Sequence, residues 1–258
     1  MAHSTLFARL LLLLLSTTTS LPASASKNPK RGIAFADPSN PVDIKKANTS
    51  SSVISWQYNW ASSPPDYLAK SGIPYIPMQW GTSGIEDFAN NVKKQGGFNE
   101  PDLSSQSNIN ANYAAKLWKQ YIHPLAASGI RLGAPAVTSG PGGRVWLTAF
   151  LNACSGCKID FIPLHWYGTG TTNFYNYLSQ MHTDFPNYPL WVTEYASTSS
   201  NPSEVKDFLT ATTKYMDSLN YVERYSWFAY ERPQSGSYWN LLDSQGNLGD
   251  LGQLYVNA

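Results

Sequence analysis

Two glutamates occupy the positions where chemistry is most readily built. Glu100 sits in Gly97-Phe98-Asn99-Glu100-Pro101-Asp102, and Glu194 in Trp191-Val192-Thr193-Glu194-Tyr195. Each follows apolar, strand-like residues, so each carboxylate is expected half-buried at a strand end. Burying a carboxylate without a partner is costly, and two at comparable positions point to use. Along an ideal strand Leu190, Val192 and Glu194 share a face, which predicts that Glu194 ends an inward-pointing apolar row. Paired carboxylates suit cleavage of a glycosidic bond. An oxocarbenium-like transition state needs a protonated acid at the leaving oxygen and an anion near the anomeric carbon.

The neighbours fit that chemistry. Asn99 could hydrogen-bond a sugar hydroxyl beside the reacting carbon. Trp56, Trp60, Trp80, His165, Trp166, Tyr167 and Trp227 fall near strand ends, where aromatic faces can stack on sugar rings. Of these, Trp56, Trp80, His165, Tyr167 and Trp227 join Asn99 as the expected substrate contacts, whereas Trp118, Trp146 and Trp191 read as core. Asp102 is expected to cap the loop after the fourth strand. One histidine near the pair, with no His-x-x-x-His and no acid cluster, gives no reason to expect a metal or other cofactor. A serine hydrolase would need a G-x-S-x-G elbow, and none occurs.

Composition agrees. The 258 residues carry 18 Lys+Arg against 17 Asp+Glu, only 14% charged in all, with nine Trp and sixteen Tyr. Near-neutral charge argues against nucleic acid as a partner. The aromatic, 42% hydrophobic composition argues against disorder. Two cysteines exclude a disulfide-dense scaffold and a four-thiolate zinc site.

The chain opens with a targeting signal. Arg9, the apolar run Leu10 to Leu15 and Ala23-Ser24-Ala25 read as a secretory signal peptide over residues 1–25. No stretch approaches the ~18 apolar residues of a membrane span. Lys30-Arg31 reads as a dibasic site ending a propeptide at 26–31, or as an ordinary solvated pair. Secretion makes Cys154 and Cys157 a short-loop disulfide or two buried thiols. Asn48-Thr49-Ser50 is a sequon for glycosylation of Asn48 on a surface loop. The expected destination is extracellular or the cell wall, as a monomer.

The elements that must position these groups alternate regularly. Strands are predicted at Gly32–Ala36, Val53–Trp60, Tyr75–Trp80, Gly97–Glu100, Ile130–Ala134, Ile159–Tyr167, Leu190–Tyr195 and Tyr221–Tyr230. Helices are predicted at Gly84–Gln95, Ile109–Ser128, Val145–Ala153, Asn173–Phe185 and Ser203–Leu219. Eight strands interleaved with helices predict an α/β fold over residues 32–258, a single (β/α)8 TIM barrel near its minimum size. A doubly wound open sheet is the alternative, but no Gly-rich phosphate loop follows the first strand. The fourth strand is weak: Val92-Lys93-Lys94-Gln95-Gly96 stands where apolar residues belong, which predicts a truncated strand.

Six segments, in order from about residue 32 to the C-terminus, carry a resemblance. They are Ser55-Trp56-Gln57-Tyr58-Asn59-Trp60, Pro77-Met78-Gln79-Trp80-Gly81, Gly97-Phe98-Asn99-Glu100-Pro101-Asp102, His165-Trp166-Tyr167, Trp191-Val192-Thr193-Glu194-Tyr195 and Arg224-Tyr225-Ser226-Trp227-Phe228. The chain resembles the Asl1-like glycoside hydrolases of family 128, in clan A. That resemblance implies a retaining endo-β-1,3-glucanase acting on β-1,3-glucan, with Glu100 as acid/base, Glu194 as nucleophile and Asn99 on the sugar 2-hydroxyl. Where family members carry an apolar stretch, Gln95-Gly96 runs directly into Gly97. A displaced Glu100 would instead leave a non-catalytic β-1,3-glucan-binding wall protein.

Overall fold

A computed structural model describes residues 24–91 and 97–257. Its apolar runs form five parallel strands in the order β2-β1-β5-β4-β3. They are β1 (Arg31–Phe35), β2 (Trp56–Tyr58), β3 (Ile162–Gly168), β4 (Leu190–Ser197) and β5 (Val222–Tyr230). Three shorter segments complete the ring. Residues 75–80 join β2 at the Gln57–Tyr75 bridge, and Trp80 O accepts from Asn99 N–H at 3.0 Å. Asn99 bridges Ala136, and residues 132–137 reach β3 at Gly133–Phe161 and Val137–Leu164. The chain is thus a (β/α)8 barrel whose eight stations match the predicted strands. The fourth, residues 97–100, is held by one bridge, as its polar approach foretold; residues 92–96 lie outside those described.

The helical layer holds α1 (Asp66–Ala69), α2 (Ile85–Asn91), α3 (Ala111–Leu117), α4 (Pro141–Ala153), α5 (Thr171–Asp184), α6 (Pro202–Ser218) and α7 (Asp250–Val256). The single helix expected over 109–128 is instead three pieces. After α3 come a π segment, Trp118–Ile122, and a 3-10 turn, His123–Ser128. Pro124 removes a backbone donor there, and Gly129 stops the chain at φ 73°. α6 starts where expected: Asn201 caps it by accepting from Ser203 N–H, with Pro202 in the first turn.

The barrel interior is packed, not a pore. Ala34, Trp56, Tyr58, Met78 and Ala136 fill it, around a residual void of about 30 Å³. Gly32 is needed here, since a Cβ would lie 2.0 Å from the Trp56 ring. Near the Trp56 end of this core, Trp191 stacks on Phe161 at 3.8 Å, and the Arg224 guanidinium lies 4.5 Å from the Trp191 ring centre.

Two expectations require correction. Trp191 and Thr193, not Leu190 and Val192, face the interior void; Leu190 and Val192 pack in the larger apolar cluster with residues of the helices. The inward apolar row leading to Glu194 therefore does not exist. Lys30-Arg31 does not lie in an exposed segment either, Lys30 being half-buried and Arg31 buried. Lys30 Nζ donates to Met216, Asp217 and Leu219 carbonyls at 3.0, 3.1 and 2.8 Å, covering the end of α6. Arg31 is buried as the first residue of β1, donating to Tyr225 Oη at 2.9 Å and pairing with Asp217 at 3.0 Å.

Cys154 and Cys157 form a disulfide at the end of α4. Asn48 is exposed, with its amide donating to Ser71 O at 3.0 Å. Residues 1–23 of the expected signal segment lie outside those described. Among the described residues no helix is long and apolar enough to cross a membrane.

Candidate active site

Both glutamates reach the same cleft by departing from strand alternation. On β4 the register slips between Val192 and Tyr195, so that Leu164 pairs Val192 but His165 pairs Glu194. The extra residue is a bulge, which turns Glu194 toward the cleft directly after inward-facing Thr193. At the fourth station Asn99 lines the cleft and Phe98 packs in the core, so alternation would send Glu100 outward. Instead Glu100 adopts φ 40°, a left-handed conformation that costs a non-glycine residue about 1–3 kcal/mol. Trp60, on the same cleft, adopts φ 62°. Such strain persists where the surroundings over-determine it, and here they do. Glu100 N–H donates to Ala136 O, and Ala136 N–H to Phe98 O, both at 2.8 Å.

The pair is buried and densely hydrogen-bonded. Glu100 is 6% exposed, Glu194 5% and His165 1%. His165 Nδ1 lies 2.8 Å from Glu100 Oε1, while Nε2 lies 3.1 Å from Thr193 Oγ1 and 3.3 Å from Glu194 Oε1. Trp60 Nε1 donates to Glu194 Oε1 at 2.7 Å and Tyr167 Oη donates to Oε2 at 2.6 Å. Burial alone would depress the His165 pKa, but Glu194, the Glu100 hydrogen bond and the Glu100 charge together hold it above its ordinary value. Burial and the Glu194 charge push Tyr167 far up, so its hydroxyl stays a donor. One donor atom each from Glu100, His165 and Glu194 falls within 4.8 Å of the others. A metal could sit there only by displacing the hydrogen bonds that now join them.

The cleft has a volume of about 660 Å³. Of the residues expected there, Asn99, Glu100, Glu194, Trp80 and Tyr167 line it, and His165 lies beneath, bridging the two acids. Trp80 and Tyr167 are exposed enough to offer ring faces. Asn99 Nδ2 donates to Gln106 at 3.2 Å, leaving its buried Oδ1 without a partner among the described residues. Trp56 and Trp227 do not line the cleft. Trp56 is in the barrel interior with Nε1 on Lys30 O, and Trp227 packs against Tyr195 and Phe208 with Nε1 on Trp239 O. Trp166 stacks on Phe208. Parity explains the error. Arg224 and Phe228 face inward on β5, so Trp227 between them faces the helices. Phe35, Tyr67, Gln106, Phe228 and Glu231 line the cleft unforeseen; the same parity that misplaces Trp227 would have selected Phe228. Asp102, expected to cap the loop after the fourth strand, instead ties that loop to the end of the fifth station, accepting from Thr138 N–H at 3.1 Å and Thr138 Oγ1 at 2.5 Å.

A (β/α)8 barrel with two buried carboxylates at its strand ends, in an aromatic-walled cleft, is the architecture of a glycoside hydrolase. Comparison with known proteins supplies the particular family. Residues 32–255 match the family described as glycosyl hydrolase catalytic core, and the chain belongs to it, in the family 128 group. Over 222 residues it is 38% identical to Alkali-sensitive linkage protein 1 of Schizosaccharomyces pombe, covering 79% of this chain but 40% of that protein. The chain thus spans less than half the length of this curated relative. Among solved structures, a family 128 exo-β-1,3-glucanase from Aureobasidium namibiae superposes with a TM-score of 0.80 at 27% identity, covering 91% of this chain and 98% of that one. A mutant family 128 endo-β-1,3-glucanase from Amycolatopsis mediterranei, bound to laminarihexaose, gives 0.73 at 32%, covering 88% and 98%.

Proposed function

We propose that this chain is a secreted glycosidase that cleaves β-1,3-glucan with retention of anomeric configuration. The observation that carries the reading is the proximity of the two carboxylates. A Glu100 oxygen and a Glu194 oxygen lie within 4.8 Å. Retaining enzymes separate their carboxyls by about 5–5.5 Å, and inverting ones by roughly 6.5–9.5 Å to admit a water.

Glu194 is the nucleophile. Trp60 and Tyr167 donate one hydrogen bond to each of its oxygens, which fixes its direction. Glu100 protonates the leaving oxygen, and then, as base, activates the water that releases the glycosyl group from Glu194. His165 tethers both acids, with Nδ1 on Glu100 Oε1 and Nε2 near Glu194 Oε1. The unpartnered Asn99 Oδ1 is available to a sugar hydroxyl next to the reacting carbon, and Trp80 and Tyr167 present stacking faces.

The reading as a non-catalytic glucan-binding protein depended on a displaced Glu100, and the bonded, buried position of Glu100 argues against it. Wall association is proposed from the linkage role in the fungal relative's name. Endo action is the expectation, although the named relatives include both endo and exo enzymes. Assaying laminarin with wild type, Glu100→Gln and Glu194→Gln tests the proposal. Reducing ends from the wild type only are expected. Turnover at the wild-type rate in either variant would reject the roles, and wild-type protein that binds insoluble β-1,3-glucan without releasing product would restore the binding reading.

A further inference from the structure

A third carboxylate lines the cleft and takes no part in the steps above. Glu231 follows β5, is 9% exposed, and faces the same space as Glu100 and Glu194. One oxygen, Oε1, accepts from Asn240 Nδ2 at 2.8 Å. The other takes no hydrogen bond from any described residue, and among the described residues no lysine or arginine pairs with Glu231. Arg232, next in the chain, turns instead to Asp43 at 2.8 Å. An acidic neighbour worsens the position: Asp37, itself buried and holding Asn40 at 3.0 and 2.9 Å, is close enough to act on Glu231. Burial and the Asp37 charge together raise the Glu231 pKa. A half-satisfied, uncompensated carboxylate in a cleft wall is a cost to folding.

Its position indicates what it meets. Glu231 lines the cleft together with Phe35, Pro38 and Phe228. Phe228 packs edge-on to Trp60, 5.9 Å between ring centres, and Trp60 holds Glu194. Through Phe228 and Trp60 the wall that holds Glu231 adjoins the nucleophile, on which the glycone remains after the bond breaks.

We propose that Glu231 is a specificity-determining residue that accepts hydroxyl hydrogen bonds from a glucose unit on the glycone side of the cleft, with Asn240 fixing its direction. The inference rests on the β-1,3-glucan reading, and its test separates the two. Laminarihexaose binding is measured by calorimetry in Glu194→Gln, with and without Glu231→Gln. Gln keeps the acceptor for Asn240 but removes the charge. An affinity loss of about tenfold is expected, the size of one hydrogen bond to a charged group.

Thermal stability at pH 7 supplies a second readout. A raised folded-state pKa means that ionisation above the ordinary carboxylate range works against folding, so Glu231→Gln should melt at the same or a higher temperature. Should Glu231→Gln fail to fold, Glu231→Asp, which withdraws the carboxylate by one methylene, is expected to weaken binding comparably. Unchanged affinity would overturn the assignment while leaving the glucanase reading intact. Weaker binding with a lower melting temperature would also overturn it, because it would make Glu231 a loop anchor. If Glu194→Gln does not bind laminarihexaose and the wild type does not cleave laminarin, the underlying reading fails and the assignment goes with it.

Discussion

The two acids sit on halves of the barrel built to different standards. Glu194 rides on β4, which pairs along most of its length with β3 on one side and β5 on the other. Glu100 rides on residues 97–100, joined by one bridge to Ala136 and by one hydrogen bond to Trp80. The first half holds its acid through the ladder, with a bulge for aim. The second holds its acid through local backbone geometry and through His165, which spans the halves. On the roles proposed above, Glu194 as nucleophile must meet a carbon along one line, so a rigid support suits it. Glu100, as the proposed acid that later becomes a base, moves a proton at each step, and a lighter support suffices.

The largest expected effect comes from the acids themselves. Glu100→Gln should cost about 10²–10⁴ in turnover of laminarin, the usual worth of a general acid–base group, and Glu194→Gln at least as much. Substrates with a good leaving group need less protonation, so aryl β-glucosides should recover activity in Glu100→Gln but not in Glu194→Gln. Equal losses on both substrates would erase the distinction between the halves.

Tyr167→Phe is next. It removes one charge-assisted hydrogen bond from Glu194, about 1.5–3 kcal/mol, or roughly ten- to hundredfold in kcat with KM little changed. A change confined to KM would make Tyr167 a stacking surface only.

Gly97→Ala probes the lightly held half. A Cβ there would lie 2.8 Å from Ala134 O and 2.9 Å from Pro135 N, both backbone atoms that cannot swing away. A destabilisation of about 1–3 kcal/mol is expected in a urea titration, with kcat falling as Glu100 shifts. Full stability with full activity would mean that the station is looser than described.

The smallest effect is the pH dependence of the tie between halves. His165 has a raised folded-state pKa, so its contribution to stability is complete below its unfolded value of about 6.5 and is lost as pH rises through the folded value. The melting-temperature difference between wild type and His165→Gln should shrink as pH rises through that window. A difference independent of pH would show that His165 acts by packing alone.

Sequence made the fold legible because the barrel repeats a simple alternation, and even the weak fourth station was visible in its polar approach. It also made both acids legible, as carboxylates ending apolar runs. What it could not give was aim. The bulge at Thr193 and the left-handed Glu100 are set by neighbouring strands, and both break the period on which strand reading depends. The same period, applied to β5, would have exchanged Trp227 for Phe228. Lys30-Arg31 misled for a related reason: a basic pair looks exposed until the end of α6 and Asp217 are brought to it by the fold.

Stereochemistry at the cleaved bond is the most direct test of two carboxylates acting across one cleft. Proton NMR of laminarioligosaccharide hydrolysis should show the β-anomer first, with the α-anomer growing only by mutarotation. An α-anomer formed first would contradict the close-paired mechanism.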